Sequence, residues 1–317
     1  MINALKYYYN MDIIEIHQKK NIYRFNIHNE KYILNPYYGT KEELEEIYNL
    51  SIYLETIGVL CHKIIINNEG NILTQINGIN YILLSIKIEN RIIELKDIMY
   101  LSNIYIDNKT YKIIKRENWS SLWSKKIDYI EDQIDKSKNK NQIIKKSIDY
   151  YIGIVENCIQ MLNQEIKGDT IKTIAHRRIK KNDSTEEFYN PLSFILDNRV
   201  RDIGEYIKEY ITDNINLIQI IEQYINYSKL NSDEIKLLFI RILYPSIYLD
   251  KCEIILEKKS KEEIINQEIK KINQIEQEIK KIYNYLNNYT SMPEIEWIKK
   301  EQLSNINNTF YFRNFIN

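Results

Sequence analysis

The chain is short of the two residues that shape tight backbone: its 317 residues include 7 glycines and 4 prolines. With so little glycine there is no segment whose amides could close around phosphates, so neither a P-loop nor a glycine-rich nucleotide loop is present. Cysteine is equally sparse. Cys61, Cys158 and Cys252 are odd in number, far apart and without a CxxC pair, which excludes a disulfide framework and a structural zinc site and fits buried thiols in a reducing compartment. Net charge is absent, Lys+Arg and Asp+Glu being 44 each. No overall positive field gathers nucleic acid or anionic lipid, and no nucleic-acid partner is expected. No run approaches the ~20 apolar residues of a membrane span. The most apolar stretch, Leu237 to Leu249, is interrupted by Arg241 and Pro245 and reads as a buried helix and its turn. Met1 to Glu15 carry no basic stretch followed by a small-residue cleavage site, so synthesis and retention in the cytoplasm are expected. HExxH and Ser-His-Asp arrangements are missing as well.

What is abundant is Ile, Asn, Lys and Tyr, the last at 27 residues. This bias reads first as AT-rich codon usage, although many phenols also suit an assembly protein, because tyrosine combines an apolar ring with a hydrogen-bonding tip. Along the chain, Ile13–His17, Ile22–Ile27 and Lys31–Leu34 read as strands separated by polar turns. Thr40 with Glu43 forms a capping box ahead of a helix to Ile57, with Leu44, Ile47, Leu50 and Leu54 on one face. Lys63–Ile66 and Ile72–Ile76 read as a hairpin, followed by a strand over Tyr81–Ile86. Beyond Glu94 the period turns helical: Leu95–Ile106, Trp119–Asp135, Gln142–Ile166, Arg201–Ile211, Ile215–Tyr227, Asp233–Leu243, Tyr248–Leu256 and Lys261–Leu286. Two short strands, Thr170–Ala175 and Ser193–Leu196, interrupt it. The fold class is α+β: a small antiparallel-sheet N-lobe with one helix over residues 1–92, a close hinge, and a large helical C-lobe over 93–317. In the last long helix Ile265, Ile272, Ile279 and Leu286 recur every seventh residue, a stripe that either packs on the larger lobe or serves as a partner surface.

This order of elements is that of a protein-kinase-like two-lobed fold, which needs a small-lobe lysine for phosphates, a loop aspartate to orient the nucleophile, and metal-binding Asn and Asp. The segments Trp119–Ile130 (W-S-S-L-W-S-K-K-I-D-Y-I), Tyr151–Gln160, Ala175–Ile179 (A-H-R-R-I), Asp197–Ile207 (D-N-R-V-R-D-I-G-E-Y-I) and Pro293–Trp297 resemble the YutH branch of the CotS-type spore coat proteins. That family is similar in fold to aminoglycoside and choline phosphotransferases, whose loop reads His-Gly-Asp, then Asn, then a metal-binding Asp.

Carried over, the resemblance sets His176 on the loop histidine, Asp197 on the metal aspartate, Asp183 near the metal asparagine and Asp202 on a structural aspartate. Arg178 stands where the catalytic carboxylate belongs and Arg177 where the glycine does. A permanently protonated guanidinium accepts no proton and repels magnesium, so His176, Arg177 and Arg178 form a degenerate loop with no catalytic residue. Asp183 and Asp197 remain a candidate two-carboxylate metal site; alternatively Asp183 faces water in the polar 180–187 loop. His176 is read as an acid or base, or as a hydrogen-bonded structural residue. Asp202 is also readable as a helix N-terminal residue bonding free amides. The phosphate lysine is replaced by Asn35, while Lys31 is expected to point differently by strand alternation, and Gln18 to Asn21 form the first turn without glycine. The resemblance implies an inactive, kinase-like binding or assembly component of the spore coat, with other coat proteins as partners and no cofactor. The resemblance likewise implies synthesis in the mother-cell cytoplasm followed by deposition on the spore. The alternative is a divergent phosphotransferase using ATP and Mg²⁺.

Overall fold

Chain turns at positive φ set the pairing of the first sheet. The computed structural model describes residues 1–107, 109–116, 118–137, 141–168 and 170–300; residues 301–317 of the expected C-lobe lie outside this range. After a helix α1 (Ile2–Tyr9) come β1 (His17–Lys19), β2 (Ile22–Ile27) and β3 (Glu30–Pro36). His28 and Asn29, at φ 49° and 62°, make the two-residue reversal that matches strand twist and pairs Ile27 with Glu30. Helix α2 (Lys41–Thr56) follows, then β4 (Lys63–Ile65), β5 (Thr74–Ile76) and β6 (Ile79–Ile86). The strand order is β1-β2-β3-β6-β4, with β5 also on β6. The small lobe is thus an antiparallel sheet with α2 inserted after its third strand, as expected.

Three details differ from the sequence reading. Helix α1 was not anticipated, because eight residues rich in tyrosine give little helical signal; its buried Leu5 and Tyr9 cover the outer sheet face with Phe25, Leu34, Tyr81 and Leu83. The first strand lies at 17–19 instead of 13–17. The expected β4–β5 hairpin does not form. Buried Asn67 accepts from the amides of Glu69 and Asn71 at 3.0 and 2.9 Å and donates to Thr74 Oγ1 at 3.0 Å, folding the connection onto itself. Each strand pairs instead with β6, Ile64 opposite Leu84 and Gln75 opposite Asn80. The true hairpin is β5–β6, turned by Asn77 and Gly78 at φ 51° and 79°.

The large lobe holds α3 (Leu95–Leu101), α4 (Trp119–Lys136), α5 (Gln142–Glu165), β7 (Lys172–His176), α6 (Thr185–Phe188), a 3₁₀ turn Pro191–Ser193, β8 (Phe194–Asn198), α7 (Arg201–Tyr210), α8 (Leu217–Ser228), α9 (Ser232–Leu243), α10 (Ser246–Leu256), α11 (Ile264–Leu286) and α12 (Glu296–Lys300). Helix α3 stops five residues before the expected Ile106, where Ser102 Oγ takes the Tyr224 hydroxyl of α8 at 2.9 Å and Asn103 reaches Ser228. The α11 stripe Ile265, Ile272, Ile279 and Leu286 is buried against α9, α5, α8 and α10. It is core, which removes it as a partner surface. Apolar packing is continuous across the waist: Leu44, Ile47 and Leu84 of the small lobe belong to one cluster with Trp119, Leu196 and Leu238 of the large lobe.

Candidate functional site

Strands β7 and β8 form an antiparallel hairpin with Ile174 opposite Leu196, and its ends carry the loop and metal-site candidates. His176 closes β7, buried at 3% exposure. Its Nδ1 lies 2.6 Å from Asp202 Oδ2, its Nε2 2.7 Å from the Phe188 carbonyl, and its amide donates to Asp202 Oδ1 at 2.9 Å. Both ring nitrogens are thus engaged within the protein, and neither is open to a substrate. His176 is structural in this geometry. Asp202 sits in the first turn of α7 yet serves His176, not the free amides of its own helix.

Arg178 donates Nε and Nη2 to both oxygens of Asp250 on α10, at 2.5 and 2.8 Å. Burial alone would lower its pKa, but the paired Asp250 outweighs burial and raises it, so Arg178 is a fixed cation. Arg177 turns the other way and ion-pairs with Glu43 of α2 across the lobes. That contact explains why the capping box is half formed: Thr40 accepts from the Glu43 amide at 3.1 Å, while the Glu43 carboxylate is held by Arg177.

The two candidate metal carboxylates have different surroundings. Asp197, on β8, is fully buried. Trp119 Nε1 lies 2.9 and 3.0 Å from its two oxygens, Arg201 Nη1 is 2.8 Å from Oδ2, and the Asn198 amide 2.7 Å from Oδ1. Asp183 is half-buried; its Oδ2 closes a turn on the Lys180 amide at 2.7 Å, with Asn182 at φ 65°, and its carbonyl accepts from Ile93 at 3.0 Å. As folded, every Asp197 oxygen is met by donors, one of them a guanidinium. This donor set does not fit Mg²⁺, which needs open carboxylate oxygens.

On the small-lobe side, Lys31 pairs with Ile86 and Asn35 with Ile82. The two therefore share a face, correcting the expectation that alternation separates them; they are four residues, about 13 Å, apart along the strand. Lys31 is exposed. From β2, Arg24 reaches across to Glu186 at 2.8 Å. His62, fully buried, accepts the Lys87 amide on Nδ1 at 3.3 Å, which leaves Nε2 to donate to the Glu186 carbonyl at 3.0 Å. The Thr185 amide meets the Arg91 carbonyl at 2.8 Å, and Tyr189 meets Asp97 at 2.8 Å. Glu46 of α2 takes the amides of Lys112, Ile113 and Ile114 at 2.8 to 3.0 Å, and the same segment bonds the backbone of Leu196. Sequence reasoning missed these lobe staples because they join residues more than sixty positions apart and carry no local pattern.

Beneath the loop lies a buried charged cluster. Glu205 is 2.6 Å from Lys208 and 2.7 Å from Arg241; Arg241 lies over Trp119 at 5.1 Å, and Trp123 stacks on Tyr244 at 4.0 Å. Burial would push the Glu205 carboxyl up, but Arg241, Lys208 and Arg178 outweigh it and hold it below the usual range. Burial pushes the Lys208 ammonium down to about 7. The W-S-S-L-W, A-H-R-R and D-N-R-V-R-D-I-G-E segments thus meet in one place, with Trp119 on Asp197 and Gly204 against Arg241.

A six-stranded antiparallel sheet with an inserted helix, a hinge, and a helical lobe carrying this hairpin define the kinase-like phosphotransferase fold. An aminoglycoside phosphotransferase from Alicyclobacillus acidocaldarius is similar at TM-score 0.64 and 8% identity, over 87% of this chain and 93% of that one. A spectinomycin phosphotransferase in complex with ADP and spectinomycin is similar at TM-score 0.57 and 14% identity, over 90% and 97%. A choline kinase from Streptococcus pneumoniae is similar at 0.51 and 14%, over 89% and 97%. No curated protein matches the sequence significantly. Residues 2–289 match the family described as "Spore coat putative kinase YutH", and the chain belongs to that family.

Proposed function

We propose that the protein is a kinase-fold component of the spore coat that binds partners or ligands without transferring a phosphoryl group. The observation that carries this reading is Arg178: a guanidinium locked on Asp250 stands where a carboxylate would orient the nucleophilic hydroxyl. The engagement of Asp197 by Trp119 and Arg201 supports it, since metal-assisted transfer needs that oxygen pair. In this reading the lobes meet near residues 92 and 93, the partners are other coat proteins, and the chain moves from the mother-cell cytoplasm to the coat. Exposed Tyr7, Tyr38 and Tyr105 supply amphipathic anchors of the kind that concentrate binding energy.

A second reading, an ATP-dependent small-molecule phosphotransferase, is favoured by the family's description as a kinase and by nucleotide-bound neighbours such as the spectinomycin enzyme with ADP. It requires Asp183 and Asp197 to open towards Mg²⁺ and a base other than residue 178. Release of ADP from Mg-ATP, measured with the full chain against a panel of amino alcohols and aminoglycosides, separates the two. The first reading predicts rates equal to the protein-free blank with every compound. Substrate-stimulated ADP release that is lost in Asp197→Asn would establish the second.

A further inference from the structure

A hollow of about 180 Å³ opens beside the degenerate loop, lined by Glu43, Ile114, Lys115, Arg116, Arg177 and Ile195 among others. Among the described residues its polar lining is mainly cationic: Glu43 is the carboxylate there, and it is already held by Arg177. Arg116 is the exceptional member. Its backbone is fixed, its amide bonding the Leu196 carbonyl at 2.9 Å and its carbonyl accepting Lys172 Nζ at 3.1 Å. Its Nε is buried with no hydrogen-bond partner among the described residues.

The neighbouring cations are otherwise matched. Arg178 is on Asp250, and Arg201 is divided between Asp197 and the carbonyls of His176 and Arg177. Burial lowers the Arg116 pKa, and Arg201, Arg177 and Arg178 lower it further against the opposing pull of Asp197. Arg116 is half-buried, and the carboxylate acting on it, Asp197, is already bonded to Trp119 and Arg201, so an incoming anion would offset positive charge that burial leaves poorly met. The planar fork matches two oxygens of a phosphoryl group, and the surrounding positive field favours a multiply charged anion over a single carboxylate.

We propose that this hollow is a phosphoryl-anion site in which Arg116, with Arg177 beside it, binds the phosphate oxygens directly and without a divalent cation. The inference rests on the reading of the cleft as a binding site; it adds the ligand's chemical class and the residue that recognises it. A metal would be repelled by the same cations that attract the anion, so the site differs from one in which Mg²⁺ carries the phosphates.

The test is calorimetric titration of the full chain with inorganic phosphate, pyrophosphate and ATP in EDTA, repeated with Arg116→Gln and Arg116→Lys. Saturable binding of pyrophosphate is expected in EDTA, weakened about tenfold or more in Arg116→Gln and by less in Arg116→Lys, which keeps the charge and loses the fork. Binding of all three ligands would assign the site to the shared phosphoryl group, and binding of ATP alone to a nucleotide's phosphates. Thermal melts should show Arg116→Gln no less stable than the parent, because no internal partner is lost. Absence of saturable binding in EDTA, binding unchanged in Arg116→Gln, or a clearly lowered melting temperature in that variant would each overturn the proposal. A chain that binds phosphate in EDTA yet turns over Mg-ATP would retain this site while refuting the non-catalytic reading.

Discussion

At the residue scale, Gly204 shows why a small side chain occurs in the middle of α7. A Cβ added there would lie 2.6 Å from Arg241 Cγ and 3.0 Å from its Cβ, and Arg241 cannot retreat, being 2% exposed and held between Glu205 and Trp119. Helix propensity favours alanine over glycine by about 1 kcal/mol, but overpacking costs about 1–3 kcal/mol, and the second effect wins where the neighbour is pinned. Gly204→Ala is expected to lower stability in a urea melt, despite being a helix-favouring change. A stabilised variant would show that Arg241 moves freely. This glycine was quoted in the sequence only as part of a motif; nothing local reveals that its neighbour is an arginine 37 positions later.

At the element scale, the loop from 183 to 190 is stapled to the small lobe and hinge through Glu186, Thr185 and Tyr189, and His62 is the imidazole of a seam that also holds the carboxylates of Glu186 and Asp97. Burial lowers the His62 pKa from its ordinary 6.5, the Glu186 carbonyl only partly offsetting it. With the folded value below the unfolded one, the unfolded chain binds the extra proton first as pH falls. His62 therefore supports the fold fully above about 6.5, and its contribution declines as pH drops from there through the folded value. Melting temperature measured between pH 7.5 and 5 is expected to fall, and to fall less steeply in His62→Gln; equal slopes would remove His62 from the seam. Within elements the sequence was a good guide: α2, α5 and the β7–β8 pair follow from periodicity, and the buried stripe of α11 from its heptads. Pairing between elements was less legible, since the β4–β5 connection has the composition of a hairpin turn and only the side chain of Asn67 closes it differently.

At the scale of the whole molecule, the kinase-like arrangement was readable because lobe order is written in the change from strand to helix period. The candidate site was readable only in part. His176, Arg177, Arg178, Asp197 and Asp202 could be placed along the chain, but their partners Phe188, Glu43, Asp250 and Trp119 come from other segments brought together by folding. Those partners govern the chemistry: they engage both oxygens of Asp197 and hold Arg178 in an ion pair. The central claim, that the fold is kept while metal-assisted phosphoryl transfer is absent, is tested most directly by water-proton relaxation with Mn²⁺ and ATP as the protein is added. No enhancement beyond that of Mn-ATP alone is predicted. An enhancement that saturates with protein and disappears in Asp197→Asn would contradict the account.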